Sequence, residues 1–361
     1  MIGTPVGALD TPSLLVELDA LDRNLNRMAD WSRRAGRAVR PHAKAHKSPL
    51  IARKQLDRGA IGITCSKLGE AEVLVAGGVS NILISSEIVG PAKIARLLSL
   101  ARHAELLVVV DDAANAADLS AAAIAAGLTL GVLVEVNVGQ ERCGVEPGQP
   151  AADLAARVAA LPGLRLEGLQ GYEGNLQHIR DPAERRQRCL ASMERLIASR
   201  RAVEARNLPV RIVSTAGTGT HAIAGEVEGV TEVQPGSYIW MDCDYLGVEG
   251  LPYEGGLTLL TSVISRQRRG AAVVDAGWKS ITTEAGMPVV KGDPALTYAP
   301  AGDEHGKLLC DDESRLPPLG AKIELVPSHC DTTVNLHDQL FAIRAGRVEA
   351  VWPIPARGRV S

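Results

Sequence analysis

The 361 residues carry 39 Lys plus Arg against 42 Asp plus Glu, a net charge of -3. That balance supplies neither the basic field that nucleic acid demands nor a polybasic membrane anchor. Apolar residues at 46% and charged residues at 22% describe a globular chain and exclude wholesale disorder.

Phe341 is the single phenylalanine, so the core is expected to be built from Ala, Val, Leu and Ile. Cys65, Cys143, Cys189, Cys243, Cys310 and Cys330 are scattered with no C-x-x-C pair, which argues against a disulfide framework or a cysteine-rich zinc site. The opening MIGTPVGALDTPS lacks the charged and apolar regions of a signal peptide. The most apolar stretch, Ala121–Val136, is interrupted and too short to span a bilayer. A cytoplasmic protein is the expectation.

In chain order, Pro12–Leu18 reads as a strand, and Asp19–Arg34 as a helix with Leu21, Leu25 and Met28 at helical spacing. Further strands are expected at Ala38–His42, Gly62–Cys65, Asn81–Ser85, Glu105–Val110, Thr129–Val136, Leu164–Gln170, Val210–Ser214 and Thr231–Gln234. Between them lie helical patterns: Leu50–Asp57, Leu68–Ala76, Pro91–Ala101, Ala113–Ala126, Ala151–Leu161 and Ala183–Ala205. The last has a start signal, Asp181 as N-cap and Pro182 at the first helical position. This alternation predicts an α/β fold, a closed (β/α)8 barrel over 11–246 with Pro12–Leu18 as the surplus strand. An open doubly wound sheet is the competing architecture. After Gly247 the texture changes to short β-like runs, Leu257–Ser265, Ala271–Asp275, Ala321–Val326 and Leu340–Arg344. A mainly β domain over 247–361, joined by residues 1–10, is expected.

Barrel sites form at the C-terminal ends of the strands, and polar clusters fall there. The first is Arg40-Pro41-His42-Ala43-Lys44-Ala45-His46-Lys47. Extended alternation would put Arg40, His42, Lys44 and His46 on one face. Lys44 fits an imine-forming amine or part of a solvated basic loop. Ser214-Thr215-Ala216-Gly217-Thr218-Gly219-Thr220 and Gln234-Pro235-Gly236-Ser237-Tyr238 end adjacent strands. They offer amides and hydroxyls to a phosphate, or are plain turns. In the β domain, an extended Pro327–Asp338 would put His329 and Asp331 on one face, with Cys330 opposite. Imidazole plus carboxylate suits Mn²⁺, Co²⁺ or Mg²⁺, or else forms a hydrogen-bonded pair. Gln140–Gly144 and Tyr172–His178 also follow strands and read equally as ordinary loops.

Taken together, DTPSLLVELDALDRN, RPHAKAHKSP, VEVNVGQERCG, QGYEGNLQH, TAGTGT, QPGSYIWMDCDY, VVDAGWKS and PSHCDTTVNLHD span essentially the whole chain. In this order they resemble the D-threonine aldolase and D-serine dehydratase-like family of fold-type III pyridoxal 5'-phosphate (PLP) enzymes. The resemblance implies an alanine racemase-like PLP-binding barrel, a C-terminal β domain and a homodimer. It further implies that Lys44 binds PLP covalently, with Arg142 facing the phenolic oxygen and Tyr172 in the cofactor pocket. Thr218, Gly219, Gly236, Ser237 and Tyr238 would cradle the phosphate, and His329 and Asp331 would hold the metal. The dehydratase branch typically has Cys where this chain has Asp331, so the resemblance is closer to the aldolases. Three positions depart from the relatives' usual residues: Ala216 for Gly, Ser66 for Gln and Thr332 for Pro. The expected activity is retro-aldol cleavage of a D-3-hydroxy amino acid to glycine and an aldehyde, with His178 as base or water-orienting group. The alternative is dehydration of D-serine or 3-hydroxy-D-aspartate, releasing ammonia. A non-catalytic PLP-binding protein generally lacks the β domain and metal pair, and a racemase would exchange the Cα proton without cleavage.

Overall fold

In the computed structural model, which describes residues 1–361, helices surround one sheet and a second sheet stands beside it. The chain begins with β1 (Ser13–Glu17) and α1 (Leu18–Ala35). It continues through β2 (Ala38–Val39), α2 (Pro49–Leu56), β3 (Ile63–Cys65), α3 (Leu68–Ala76), β4 (Asn81–Ile84), α4 (Pro91–Leu100), β5 (Glu105–Val110) and α5 (Ala113–Ala126). Then follow β6 (Leu130–Glu135), α6 (Gln149–Ala160), β7 (Leu164–Gly171), α7 (Pro182–Glu204), β8 (Ile212–Thr215), α8 (His221–Ala224), β9 (Glu232–Val233) and α9 (Cys243–Leu246). Strands β2 to β9 are parallel, in the order β2-β9-β8-β7-β6-β5-β4-β3. A parallel bridge between His42 and Thr64 joins the two ends of this order. The barrel is closed, and the open sheet is set aside.

Local chemistry explains the helix starts. Asp112 caps α5 by accepting the amides of Ala114 and Asn115, and Gly127 ends it in the left-handed conformation. Asp181 caps α7 through the Glu184 amide, with Pro182 at the first position.

Strand alternation divides the barrel residues between two environments. Ile82, Ile84, Val108, Val110, Val132 and Val134 pack with the helices, whereas Leu83, Leu107, Val109 and Leu133 form a separate inner cluster. The other side of the interior is polar. Gln170 donates to Glu135 at 2.5 Å, and Gln234 donates to Gln170 at 2.9 Å and to Ser214 at 2.7 Å. Ser214 in turn donates to Glu232, which Arg40 holds through two hydrogen bonds of 2.9 and 3.1 Å.

The second sheet contains β10 (Leu257–Arg268), β11 (Ala271–Val274), β12 (Val289–Val290), β13 (Thr297–Pro300), β14 (Gly306–Leu309), β15 (Lys322–Val326), β16 (Gln339–Arg344) and β17 (Arg347–Pro353). The long β10 pairs with β15 near its start and with β11 near its end, closing six strands into a small antiparallel barrel. Strand β1 lies between β10 and β16. The expected boundary at residue 11 is therefore corrected, because Ser13–Glu17 belongs to the β side. Leu15 packs with Leu260, Phe341 and Ile343 on one face, while Leu14 and Val16 join the main core on the other. A strand buried on both faces needs hydrogen-bonding neighbours on both edges, and β10 and β16 provide them. No helix is long and apolar enough to cross a membrane.

Candidate active site

A cavity of about 610 Å³ opens at the C-terminal ends of the barrel strands, against the β domain. Its walls include Lys44, Arg142, Tyr172, His178, Thr218, Gly236, Ser237, His329 and Asp331. Residues expected from six separate segments thus meet in one place. Gly219 and Tyr238 do not line the cavity wall. The Gly219 amide donates to Gln177 Oε1 at 2.9 Å, and the buried Tyr238 hydroxyl accepts from Gln55 at 3.1 Å.

After β2, Ala43–Ala45 form a single 3-10 turn, and His42 Nδ1 accepts the Lys44 amide at 3.3 Å. The turn breaks the alternation expected for Arg40, His42, Lys44 and His46. Only His42 and Lys44 reach the cavity. Arg40 points into the barrel toward Glu232, and His46 is buried against Trp240 with ring centroids 6.5 Å apart.

Lys44 Nζ lies 6.0 Å from the Tyr172 ring centroid and 3.8 Å from Asp331 Oδ2. Arg142 approaches the same ring, its Cζ 5.7 Å from the centroid. Burial opposes charge on Lys44, but Tyr172 and Asp331 outweigh it and raise its pKa above the ordinary lysine value. The lysine rests protonated and must lose a proton before its amine can attack an aldehyde.

The segment around His329 is not extended, which corrects the strand geometry expected there. His329 is the N-cap of α10 (Cys330–Val334), and Asp331 occupies its first turn. The two side chains still converge, with His329 Nε2 3.9 Å from Asp331 Oδ2. Cys330 faces away and donates to the Met241 carbonyl at 3.3 Å. His329 Nδ1 lies 3.2 Å from Asp242 Oδ2. Asp242 is fully buried and also accepts the amides of Cys330 and Tyr245, each at 3.0 Å. A carboxylate that holds Nδ1 leaves Nε2 for a metal. Asp331 Oδ1 is buried without a hydrogen-bond partner, a costly state for a carboxylate oxygen. That orphaned oxygen beside an open imidazole nitrogen fits a divalent ion. Burial opposes the proton on His329, yet Asp242 and Asp331 carry its pKa up to about 9.

His178 Nδ1 lies 2.9 Å from Asp244 Oδ2, and its ring packs on Tyr245 with centroids 4.3 Å apart. Burial lowers its pKa below the ordinary histidine value, against the pull of Asp244 and Asp242. A neutral imidazole with one nitrogen beside a carboxylate is arranged as a base. The amides of Thr218, Gly236 and Ser237, which also line the cavity, make no hydrogen bond within the protein. They belong to two adjacent strand-end loops and fit a phosphate group.

Residues 16–244 match the model of the alanine racemase N-terminal domain, and 256–343 that of a putative serine dehydratase domain. The chain is 43% identical to a D-threonine aldolase of an Arthrobacter species, with 99% of this chain and 95% of the relative covered. The chain belongs to the D-threonine aldolase and D-serine dehydratase-like family. The same family includes a 3-hydroxy-D-aspartate aldolase of Paracoccus denitrificans, 37% identical over 99% of this chain and 94% of that one. The solved structure of D-threonine aldolase from Filomicrobium marinum is 45% identical and superposes with a TM-score of 0.98, covering 100% of this chain and 99% of that one. Membership makes the protein an enzyme, a lyase with the alanine racemase-like fold.

Two functional groups were not singled out from the sequence, the carboxylates of Asp242 and Asp244. Their signal was available in Asp242-Cys243-Asp244-Tyr245, directly after the Gly236–Tyr238 turn. Asp242 holds His329 by a hydrogen bond, and Asp244 places its charge beside Nδ1 of His178.

Proposed function

We propose that the protein is a PLP- and divalent-metal-dependent aldolase that cleaves D-3-hydroxy amino acids to glycine and an aldehyde. The observation that carries the reading is the meeting of Lys44 with the His329–Asp331 pair at 3.8 Å, in a cavity that also holds unpaired amides suited to phosphate. Lys44 is the residue that would hold the PLP aldehyde, Thr218, Gly236 and Ser237 its phosphate, and His329 with Asp331 the metal. Bound PLP supplies an electron sink for the pair released when Cα–Cβ breaks, and the divalent ion supplies Lewis acidity.

The chain's own groups do the rest. Arg142 and Tyr172 bound the cavity beside Lys44. Neutral His178 takes the proton of the substrate's β-hydroxyl at Nε2, and Asp244 stabilises the resulting imidazolium at Nδ1. Retro-aldol cleavage requires that deprotonation, whereas removal of the Cα proton does not produce it. The reading includes a cytoplasmic homodimer. The test is glycine release from D-threonine by the purified protein with PLP, before and after chelation. Release that stops on chelation and returns with Mn²⁺ supports the reading, and release indifferent to chelator contradicts it.

A further inference from the structure

A carboxylate lies beneath the Gly-Thr loop, and none of the reactions above uses it. Glu173 is completely buried, at 0% exposure, and its hydrogen-bond partners are all neutral donors. Thr215 Oγ1 donates to it at 3.1 Å, Thr220 Oγ1 at 2.5 Å and Gln177 Nε2 at 3.4 Å. The Ala216 amide and that of Glu173 itself also bear on it. Burial raises the Glu173 pKa above the ordinary glutamate value, and these donors pull against that rise.

Gln177 extends the arrangement. Its Nε2 donates to Thr220 Oγ1 at 2.8 Å, and its Oε1 accepts the Gly219 amide at 2.9 Å. Thr220 Oγ1 accepts the Gly217 amide at 3.3 Å. The donors of Thr215, Gly217, Gly219 and Thr220 are therefore directed inward, whereas the Thr218 amide makes no hydrogen bond within the protein. Thr218 Oγ1 accepts the Tyr238 amide at 3.0 Å, which ties this loop to the one carrying Gly236 and Ser237. Space demands glycine here: a Cβ on Gly217 would lie 2.6 Å from Gln177 Oε1, and one on Gly219 would collide with the Gln177 carbonyl.

We infer that Glu173 is a positioning residue for the cofactor phosphate, acting through Thr220 and Gln177. It gathers the inward donors of the loop and thereby leaves the Thr218 amide, with those of Gly236 and Ser237, available to phosphate. The inference rests on the PLP reading above.

The test compares PLP with pyridoxal, which offers Lys44 the same aldehyde and ring without the phosphate. Dissociation constants for both are read from visible absorbance on cofactor-free wild type, Glu173→Gln, Thr220→Val and Thr220→Ser, alongside each melting temperature. Glu173→Gln and Thr220→Val should weaken PLP about tenfold or more while changing pyridoxal less than about twofold, because only phosphate contacts lose their geometry. Thr220→Ser, which keeps the hydroxyl, should stay near wild type. Equal losses for both ligands, unchanged PLP affinity or tighter PLP would overturn the inference. If Glu173→Gln does not fold, Thr220→Val decides by the same ratio; a Thr220→Val that also fails to fold beside a stable Thr220→Ser would overturn it as a general structural role. A wild type that binds neither ligand would overturn the PLP reading itself.

Discussion

His329 Nδ1 stands 3.2 Å from the carboxylate of Asp242, a residue with no exposed surface. The contact links the β domain to the loop after the last barrel strand, and it fixes which imidazole nitrogen faces the cavity. Asp242→Asn should keep the backbone acceptor contacts in part but lose the charge behind the histidine. Metal affinity should fall about 10–100-fold. Competition with a chelator of known affinity measures it, and wild-type affinity in the variant would remove Asp242 from the site.

The proton on His329 competes with a metal at the same imidazole. With the pKa raised to about 9, apparent metal affinity should climb about tenfold per pH unit from pH 6 and level off near pH 9. Titration of the cofactor-free protein with Mn²⁺ across that range checks the slope. A flat profile would mean that His329 is not the ligand.

His178 is likewise disabled by acid, but its pKa is shifted the other way. Its pKa is lowered, so the neutral base is already populated at pH 7 and is lost only as pH falls below the ordinary histidine range. With metal saturating throughout, the acid limb of kcat/KM should therefore lie below pH 6.5, and His178→Gln should lower kcat about 10²–10⁴-fold and abolish that limb. A limb that survives the substitution belongs to another group.

Much of the barrel could be read directly because its helices and strands carry strong, different periodicities. Leu68–Ala76, Ala113–Ala126 and Glu105–Val110 have the same bounds in the structure as in the sequence reading. The β domain was less legible. Val289–Val290, Thr297–Pro300 and Gly306–Leu309 are two to four residues long, too short for alternation to stand out. The place of Ser13–Glu17 depends on partners more than 240 residues away, a relation that local pattern does not encode. In the site, residue types were more legible than directions. Lys44, His329 and Asp331 were singled out, but the turn at Ala43–Ala45 and the helix at Cys330–Val334 replace the extended geometry expected for them.

Arg40 and Glu232 illustrate a structural role for a residue that the sequence placed near the chemistry. Both side chains are 3% exposed, and the pair is bidentate. Removing one partner strands a buried charge, so Arg40→Met should cost about 3–5 kcal/mol. Urea unfolding of the variant measures this, and a loss near zero would show that water or a rearranged neighbour replaces the arginine.

Ala216 adopts φ 63°, a left-handed conformation that Gly enters without steric cost. Ala216→Gly should stabilise the protein by about 1 kcal/mol or less, the relief of strain exceeding the added freedom of the unfolded chain. Thermal unfolding gives the sign, and destabilisation would mean that the alanine methyl contributes more to packing than its backbone costs.

The most direct test follows glycine, aldehyde and ammonia together. The protein is incubated with PLP and Mn²⁺, first with D-threonine and then with 3-hydroxy-D-aspartate. Equimolar glycine and acetaldehyde from the first, or glycine and glyoxylate from the second, without ammonia and abolished by chelator, is the predicted result. Ammonia with a keto acid would contradict it and would make the protein a dehydratase despite Asp331.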